Sequence, residues 1–183
     1  MHDVVWVFGY GSLIWRPGMA FVARRAGQLA GWARRFWQSS TDHRGTVEAP
    51  GRVLTLVESA ASVWGMAYAV ERAAWPEIEA ALELREQQGY ARLSVDIGLA
   101  AGAVAGPVVE RVAGLLYIAT GDNPYFVGPE PLAATAEIVR RSVGPSGPNL
   151  DYVLALEAAL AEMQAHDPEV SALAALVRGG SRS

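Results

Sequence analysis

Two residue types are absent from this 183-residue chain, cysteine and lysine. Without cysteine there is no disulfide framework, thiolate nucleophile, zinc knuckle or iron–sulfur ligation. Without lysine there is no Schiff base and no P-loop lysine beneath a nucleotide. Histidine is scarce, since only His2, His43 and His166 occur, and their separation lacks metal-ligand spacing, so a histidine metal site is not expected. All 15 basic residues are arginine, a bias that codon usage explains more readily than mechanism does. No apolar run reaches the roughly 18 residues of a membrane-spanning helix, and no basic stretch precedes an apolar segment at the amino terminus. A cytoplasmic protein without a membrane partner is expected. The net charge is −4, and no arginine cluster exceeds the pairs Arg24-Arg25, Arg34-Arg35 and Arg140-Arg141. That leaves no electrostatic footprint for a phosphate backbone, so nucleic acid is not an expected partner. The chemistry that remains must come from carboxylates, hydroxyls, one or two histidines and backbone amides.

Apolar material is plentiful, at 51% of residues, which suffices for the core of one domain spanning residues 1–183. Runs rich in β-branched and aromatic residues predict strands at Val4–Phe8, Ala26–Gln38, Arg52–Val57, Val63–Val70, Ala91–Ile97 and Val108–Ala119. Between the fourth and fifth of these, Ala73–Glu86 reads as a helix: Pro76 sits in its first turn, glutamates come early, and Gly89 stops it. Helical periodicity returns over Pro131–Val143, Leu150–His166 and Pro168–Val177, with Asn149 as the expected N-cap of the second. The segment Ala100–Pro107 reads as a surface connection between strands. A β-rich first two-thirds closed by helices implies an α+β architecture, with a curled sheet or partial barrel packed on helices. Strand order is not legible at this level.

Five motifs invite a chemical reading. The first strand runs into Gly9-Tyr10-Gly11-Ser12-Leu13, a turn whose small residues leave successive N–H groups able to converge on a carboxylate or an oxyanion. Ile14 stands where a dinucleotide fingerprint or a nucleophile elbow requires glycine, so the turn is neither. In Thr41-Asp42-His43-Arg44-Gly45, His43 could serve as a base for Ser12 with Asp42 as orienter, or the segment could be a satisfied loop network. Glu77, Glu79 and Glu83 read as solvated helix-surface residues. Glu86 falls where the helix runs out against Gly89-Tyr90; a carboxylate turned there toward an apolar cleft would shuttle protons, and one left on the helix surface would simply be solvated. Asp122–Pro129 carries two aromatics among turn residues and fits a site wall or a packed loop equally. Gly144–Asn149 reads as a rigid structural approach to the next helix.

Taken together these segments resemble the ChaC-type glutathione-specific γ-glutamylcyclotransferase family. The matching blocks, in order, are Val7-Phe8-Gly9-Tyr10-Gly11-Ser12-Leu13-Ile14-Trp15, Arg35-Phe36-Trp37-Gln38, Thr41–Gly45, Pro50-Gly51-Arg52-Val53, Val63-Trp64-Gly65, Arg85-Glu86 with Gly89-Tyr90, Tyr117-Ile118, Asn123-Pro124, Gly128-Pro129 and Gly144–Gly147. They span Val5 to about Tyr152, and so many ordered blocks are highly specific. One departure is Val47, where similar proteins carry proline. The resemblance implies a γ-glutamylcyclotransferase-like mixed β-barrel with flanking helices. It also implies cleavage of glutathione into 5-oxoproline and cysteinylglycine, a small-molecule substrate that needs no cofactor. By the same resemblance Tyr10, Gly11, Ser12 and Leu13 hold the γ-glutamyl group, and Glu86 is the catalytic glutamate. Tyr117 either points its hydroxyl at the substrate or packs in the core. Arg44, Arg52 and Arg35 are candidates for the glycine carboxylate or for internal ion pairs, the latter favoured for Arg35 within its apolar strand. Oligomeric state is not readable.

Overall fold

The β-branched run at the amino terminus forms strand β1 (Val4–Gly9) in a computed structural model that describes residues 3–85 and 90–179. Four further strands, β2 (Ala23–Ser40), β3 (Gly51–Glu71), β4 (Tyr90–Ala100) and β5 (Val108–Ala119), join it in a closed ring of order β1-β3-β2-β4-β5. Parallel pairing of Trp6–Phe8 with Gly114–Leu116 closes the ring, and the other neighbours are antiparallel. Closure is uneven, because β2 meets β4 only at Gly27↔Leu99 and Gln28↔Gly98. Past that seam β2 and β3 pair with each other as far as Ser40↔Gly51, with one isolated bridge from Gln38 to Phe126. The expected mixed barrel is therefore present, with one long two-stranded arm.

That arm explains a difference from the sequence reading. Arg52–Val57 and Val63–Val70 are parts of one 21-residue strand, β3. Between them Glu58 still pairs with Trp32 and Ser62 with Ala30, but the register shifts there, leaving residues 59–61 opposite Gly31 alone, whose φ of +85° suits glycine.

Helix α1 (Trp75–Arg85) lays Leu82, Ile78 and Trp75 against a small apolar cluster of Val7, Leu13, Val70 and Tyr117. Glu79, read as solvated, pairs with Arg92 of β4 and ties this helix to the barrel. Three more helices, α2 (Leu132–Arg141), α3 (Asn149–Glu162) and α4 (Pro168–Gly179), cover the larger core with Val139, Val153, Leu156, Leu173 and Val177. No helix among the described residues is long and apolar enough to cross a membrane.

Asn149 is fully buried and does not cap α3 with its side chain; Pro148 holds the cap position. Its amide instead accepts the Arg52 N–H at 2.6 Å and donates to the Arg52 carbonyl at 2.8 Å, pinning α3 to the start of β3. Asn149→Ala strands both backbone groups, so a urea titration should show a loss of about 1–3 kcal/mol.

Pairing directions bring the carboxyl ends of β1, β2 and β5 and the amino ends of β3 and β4 to one end of the barrel. The loops that carried the sequence motifs meet there.

Candidate active site

Beyond Gly9 the chain doubles back at Tyr10-Gly11 into a single 3₁₀ turn, Ser12–Ile14. The reversal is tight. A β-carbon on Gly9 would lie 2.6 Å from that of Leu13, and one on Gly65 would lie 2.4 Å from the Gly9 carbonyl oxygen. Two buried side chains hold the turn from behind. Arg34 donates through Nε to the Tyr10 carbonyl at 2.9 Å. The Tyr68 hydroxyl donates to the Leu13 carbonyl at 2.7 Å, with the Ile14 carbonyl at 3.1 Å.

Burial pushes the Tyr68 pKa up from 10.0 to about 12. The folded protein thus binds this proton more tightly than the unfolded chain does. The resulting stabilisation is complete below pH ~10 and is lost as pH rises toward 12. Tyr68→Phe should flatten this alkaline slope and lower stability near neutrality by about 1 kcal/mol, both read by urea unfolding across pH.

In front of the turn lies a cavity of about 380 Å³. Ser12, Arg16 and Gly18 form one side, Ser39 and Ser40 come from the end of β2, and Asp42, His43 and Arg44 come from the β2–β3 connection. Val53, Tyr90, Ser146 and Tyr152 complete it. Of the residues read as holding the substrate, Ser12 stands on the wall and Gly11 is partly exposed beside it. The Tyr10 side chain packs into the main core, while those of Leu13 and Tyr117 pack behind the turn in the cluster with Leu82. Glu86 lies outside the described residues. It follows the last residue of α1 and precedes Tyr90, on the wall, by four positions.

Ser12, His43 and Asp42 do not assemble as a nucleophile, base and orienter. The His43 ring places Nδ1 3.3 Å from the Ser146 hydroxyl and Nε2 3.6 Å from the Asp42 carboxylate, with Ser12 at neither nitrogen. Ser146 arrives on a short hairpin of β6 (Val143–Gly144) and β7 (Gly147–Pro148), whose Ser146 N–H donates to the His43 carbonyl at 2.9 Å. A β-carbon at Gly144 would sit 2.3 Å from that same carbonyl oxygen. The segment read as a rigid approach to a helix also supplies a cavity wall.

The arginines separate cleanly. Arg35 pairs with Glu169 at 3.7 Å, and Arg52 is held by Glu130, with Nε at 2.6 Å from the carboxylate. Arg44 faces the cavity, donates to the Pro148 carbonyl at 3.1 Å and lies 5.8 Å from the Tyr152 ring centre. Among the described residues no carboxylate pairs with it. Burial lowers its pKa and Arg16 acts in the same direction, against Tyr152, but a guanidinium remains a cation at neutral pH. The Asp122–Pro129 segment is a packed loop. Ser39 donates to the Tyr125 carbonyl, Val127 donates to the Trp37 carbonyl, and the Trp37 and Phe126 rings meet edge to face.

The sequence reading did not single out Arg16, Gly18, Ser39 and Ser40 of the wall, nor two residues that act on the turn, Tyr152 and Arg34. Tyr152, in the first turn of α3, accepts the Leu54 N–H at 3.4 Å and crowds Gly11, where a β-carbon would fall 3.1 Å from its hydroxyl. Arg34 was seen only as half of an arginine pair. A polar residue at a strand position otherwise facing the core was the available signal for it.

The chain is similar to known proteins in sequence and in fold. A family model described as ChaC-like protein matches residues 5–179. The chain belongs to the ChaC-like family. Within it, the chain is 40% identical to gamma-glutamylcyclotransferase 2-3 of Arabidopsis thaliana, over 95% of this chain and 88% of that one. It is 36% identical to the glutathione-specific gamma-glutamylcyclotransferase of Saccharomyces cerevisiae, over 87% and 86% of the two chains. It is 38% identical to the human glutathione-specific gamma-glutamylcyclotransferase 1, over 93% and 77%. The crystal structure of the yeast enzyme superposes with a TM-score of 0.89 at 32% identity, covering 97% of this chain and 96% of that one.

Proposed function

We propose that this ChaC-like protein is a γ-glutamylcyclotransferase that cleaves glutathione to 5-oxoproline and cysteinylglycine. The observation that carries the reading is the cavity itself, which joins the Tyr10–Leu13 turn to Arg44, a cation with no carboxylate ion pair among the described residues, at the open end of the barrel. Its volume falls within the ~300–1,000 Å³ of small-molecule sites. Glutathione presents a carboxylate at each end. The turn takes the γ-glutamyl one through backbone N–H groups, and Arg44 takes the glycine one through charge-assisted hydrogen bonds.

The reaction is a ring closure. The substrate's α-amine attacks its own γ-amide carbonyl, a tetrahedral intermediate forms, and the carbon–nitrogen bond to cysteine breaks. The amine must lose a proton before attack, and the departing nitrogen must gain one. Glu86 accepts the first proton and delivers the second. Nucleophile and electrophile share one molecule, so holding the bent conformer supplies an effective concentration on the order of 10⁵ M or more. No protein nucleophile is required, in keeping with a His43 that faces Ser146 instead of Ser12. A cytoplasmic setting suits a substrate drawn from the glutathione pool that keeps thiols reduced there.

A substrate panel tests the assignment. Glutathione should be turned over faster than γ-glutamylalanine or γ-glutamyl-lysine, neither of which has a glycine carboxylate to reach Arg44. Equal rates across the panel would point to a broader γ-glutamyl amine cyclotransferase. Binding without product would point to a non-catalytic γ-glutamyl-binding domain.

A further inference from the structure

We infer that Arg34 is the positioning residue of the substrate turn, orienting the Gly11 N–H toward the bound carboxylate by holding the Tyr10 carbonyl. The inference rests on the cyclotransferase reading for its ligand and deepens it. Arg34 is 2% exposed and is not part of the cavity wall. Its guanidinium gathers three separate parts of the fold. Nε donates to the Tyr10 carbonyl of the turn, Nη2 to the Trp64 carbonyl of β3, and Nη1 to Asp167 Oδ2 at 3.0 Å. The other oxygen of Asp167 accepts the N–H groups of Glu169 and Val170 at 3.1 and 3.2 Å, capping α4.

A buried ion pair is weak evidence for stability, since well-packed apolar side chains often serve as well. What an apolar side chain could not do here is fix the direction of a peptide plane. In a trans peptide the C=O and N–H groups point in opposite directions. With the Tyr10 oxygen held on Arg34, the Gly11 N–H points the opposite way; Ser12 of the cavity wall follows Gly11 in the chain, and a β-carbon on Gly11 would lie 3.1 Å from the Tyr152 hydroxyl. That N–H donates to no described group. Glycine at 11 would let this peptide rotate, so the held carbonyl selects one orientation. The cation on the oxygen also polarises the peptide and makes its N–H a stronger donor to an anion.

The test compares three variants for KM and kcat with glutathione, urea stability, and calorimetric Kd for glutaryl-cysteinylglycine. This probe keeps both terminal carboxylates but lacks the amine and cannot cyclise. Arg34→Met combined with Asp167→Leu removes both buried charges, and should raise KM and Kd at least about tenfold, the loss of one charge-assisted contact. Asp167→Asn keeps the Arg34 contact to Tyr10, and should lose stability while KM and Kd stay within about twofold. Arg34→Lys keeps the charge but cannot fork to both carbonyls and Asp167, and should show the same rise in KM and Kd as the paired variant. This third variant decides the matter if the paired one does not fold.

Unaltered Kd in the paired or lysine variant, or losses of affinity that track stability across all three, would overturn the role of Arg34. If the unaltered protein binds the probe yet forms no 5-oxoproline, the cyclotransferase reading fails while the Kd comparison still decides Arg34. If it does not bind the probe at all, both fall.

Discussion

Glu86→Gln should lower kcat for glutathione by about 10²–10⁴-fold, the usual contribution of a single general acid–base group. The expectation follows from what ring closure demands and from what the chain lacks. At neutral pH the substrate amine is an ammonium and the leaving group is a poor one, so one proton must leave and one must arrive within the same site. Cysteine and lysine are absent from the sequence, and the His43 ring is turned to Ser146 and Asp42. Glutamine retains the shape and hydrogen-bonding span of glutamate but not its proton affinity. The Kd for glutaryl-cysteinylglycine and the urea midpoint should therefore stay near those of the unaltered protein. Full activity in this variant would remove Glu86 from the mechanism.

Arg44→Met should raise KM for glutathione about 10–100-fold, equivalent to losing a hydrogen bond between charged groups worth ~1.5–3 kcal/mol. Methionine preserves much of the packing against Tyr152, so kcat should move far less than KM. The decisive control is glutathione with its glycine carboxylate converted to an amide. The unaltered protein should handle this analogue poorly, and Arg44→Met should scarcely worsen it. An equal loss on both substrates would show that Arg44 supports the wall through its bond to the Pro148 carbonyl and leaves the glycine carboxylate to another group. Arg52 and Arg35 make no such claim, because Glu130 and Glu169 already occupy them.

Much of this was legible before any coordinates. Local pattern located the five barrel strands, and the Gly-Tyr-Gly-Ser segment marked where β1 gives way to the turn. What pattern could not deliver was anything decided by long-range pairing. The Glu58–Ser62 stretch breaks the apolar alternation of β3, yet pairing with β2 resumes on both sides of the irregularity at Gly31, at Ser62 and at Glu58. Asn149 offers a cap by residue type, but its amide is spent on Arg52, 97 positions away. Within the site, the same limit separates Arg44 from Arg35 and Arg52. All three look alike in a strand or turn, and only their partners, at Pro148, Glu169 and Glu130, tell them apart. Tyr152 carries one polar atom on an apolar helix face and gives no periodic signal, whereas Arg34 showed itself only as a charge at a core-facing strand position. Both act on the turn from distant segments, through the crowding of Gly11 and the bond to the Tyr10 carbonyl. The absence of cysteine and lysine is compatible with the proposed chemistry, which asks only for a nucleophile from the substrate and for amides, an arginine and a carboxylate from the protein.

The most direct test of the central claim is product analysis in oxygen-18-labelled water. Purified protein is treated with a chelator and given glutathione, and the products are followed by mass spectrometry. Intramolecular cyclisation predicts equal amounts of unlabelled 5-oxoproline and cysteinylglycine, since no water oxygen enters either product. Glutamate carrying one heavy oxygen, from water attack on the γ-amide, would contradict it.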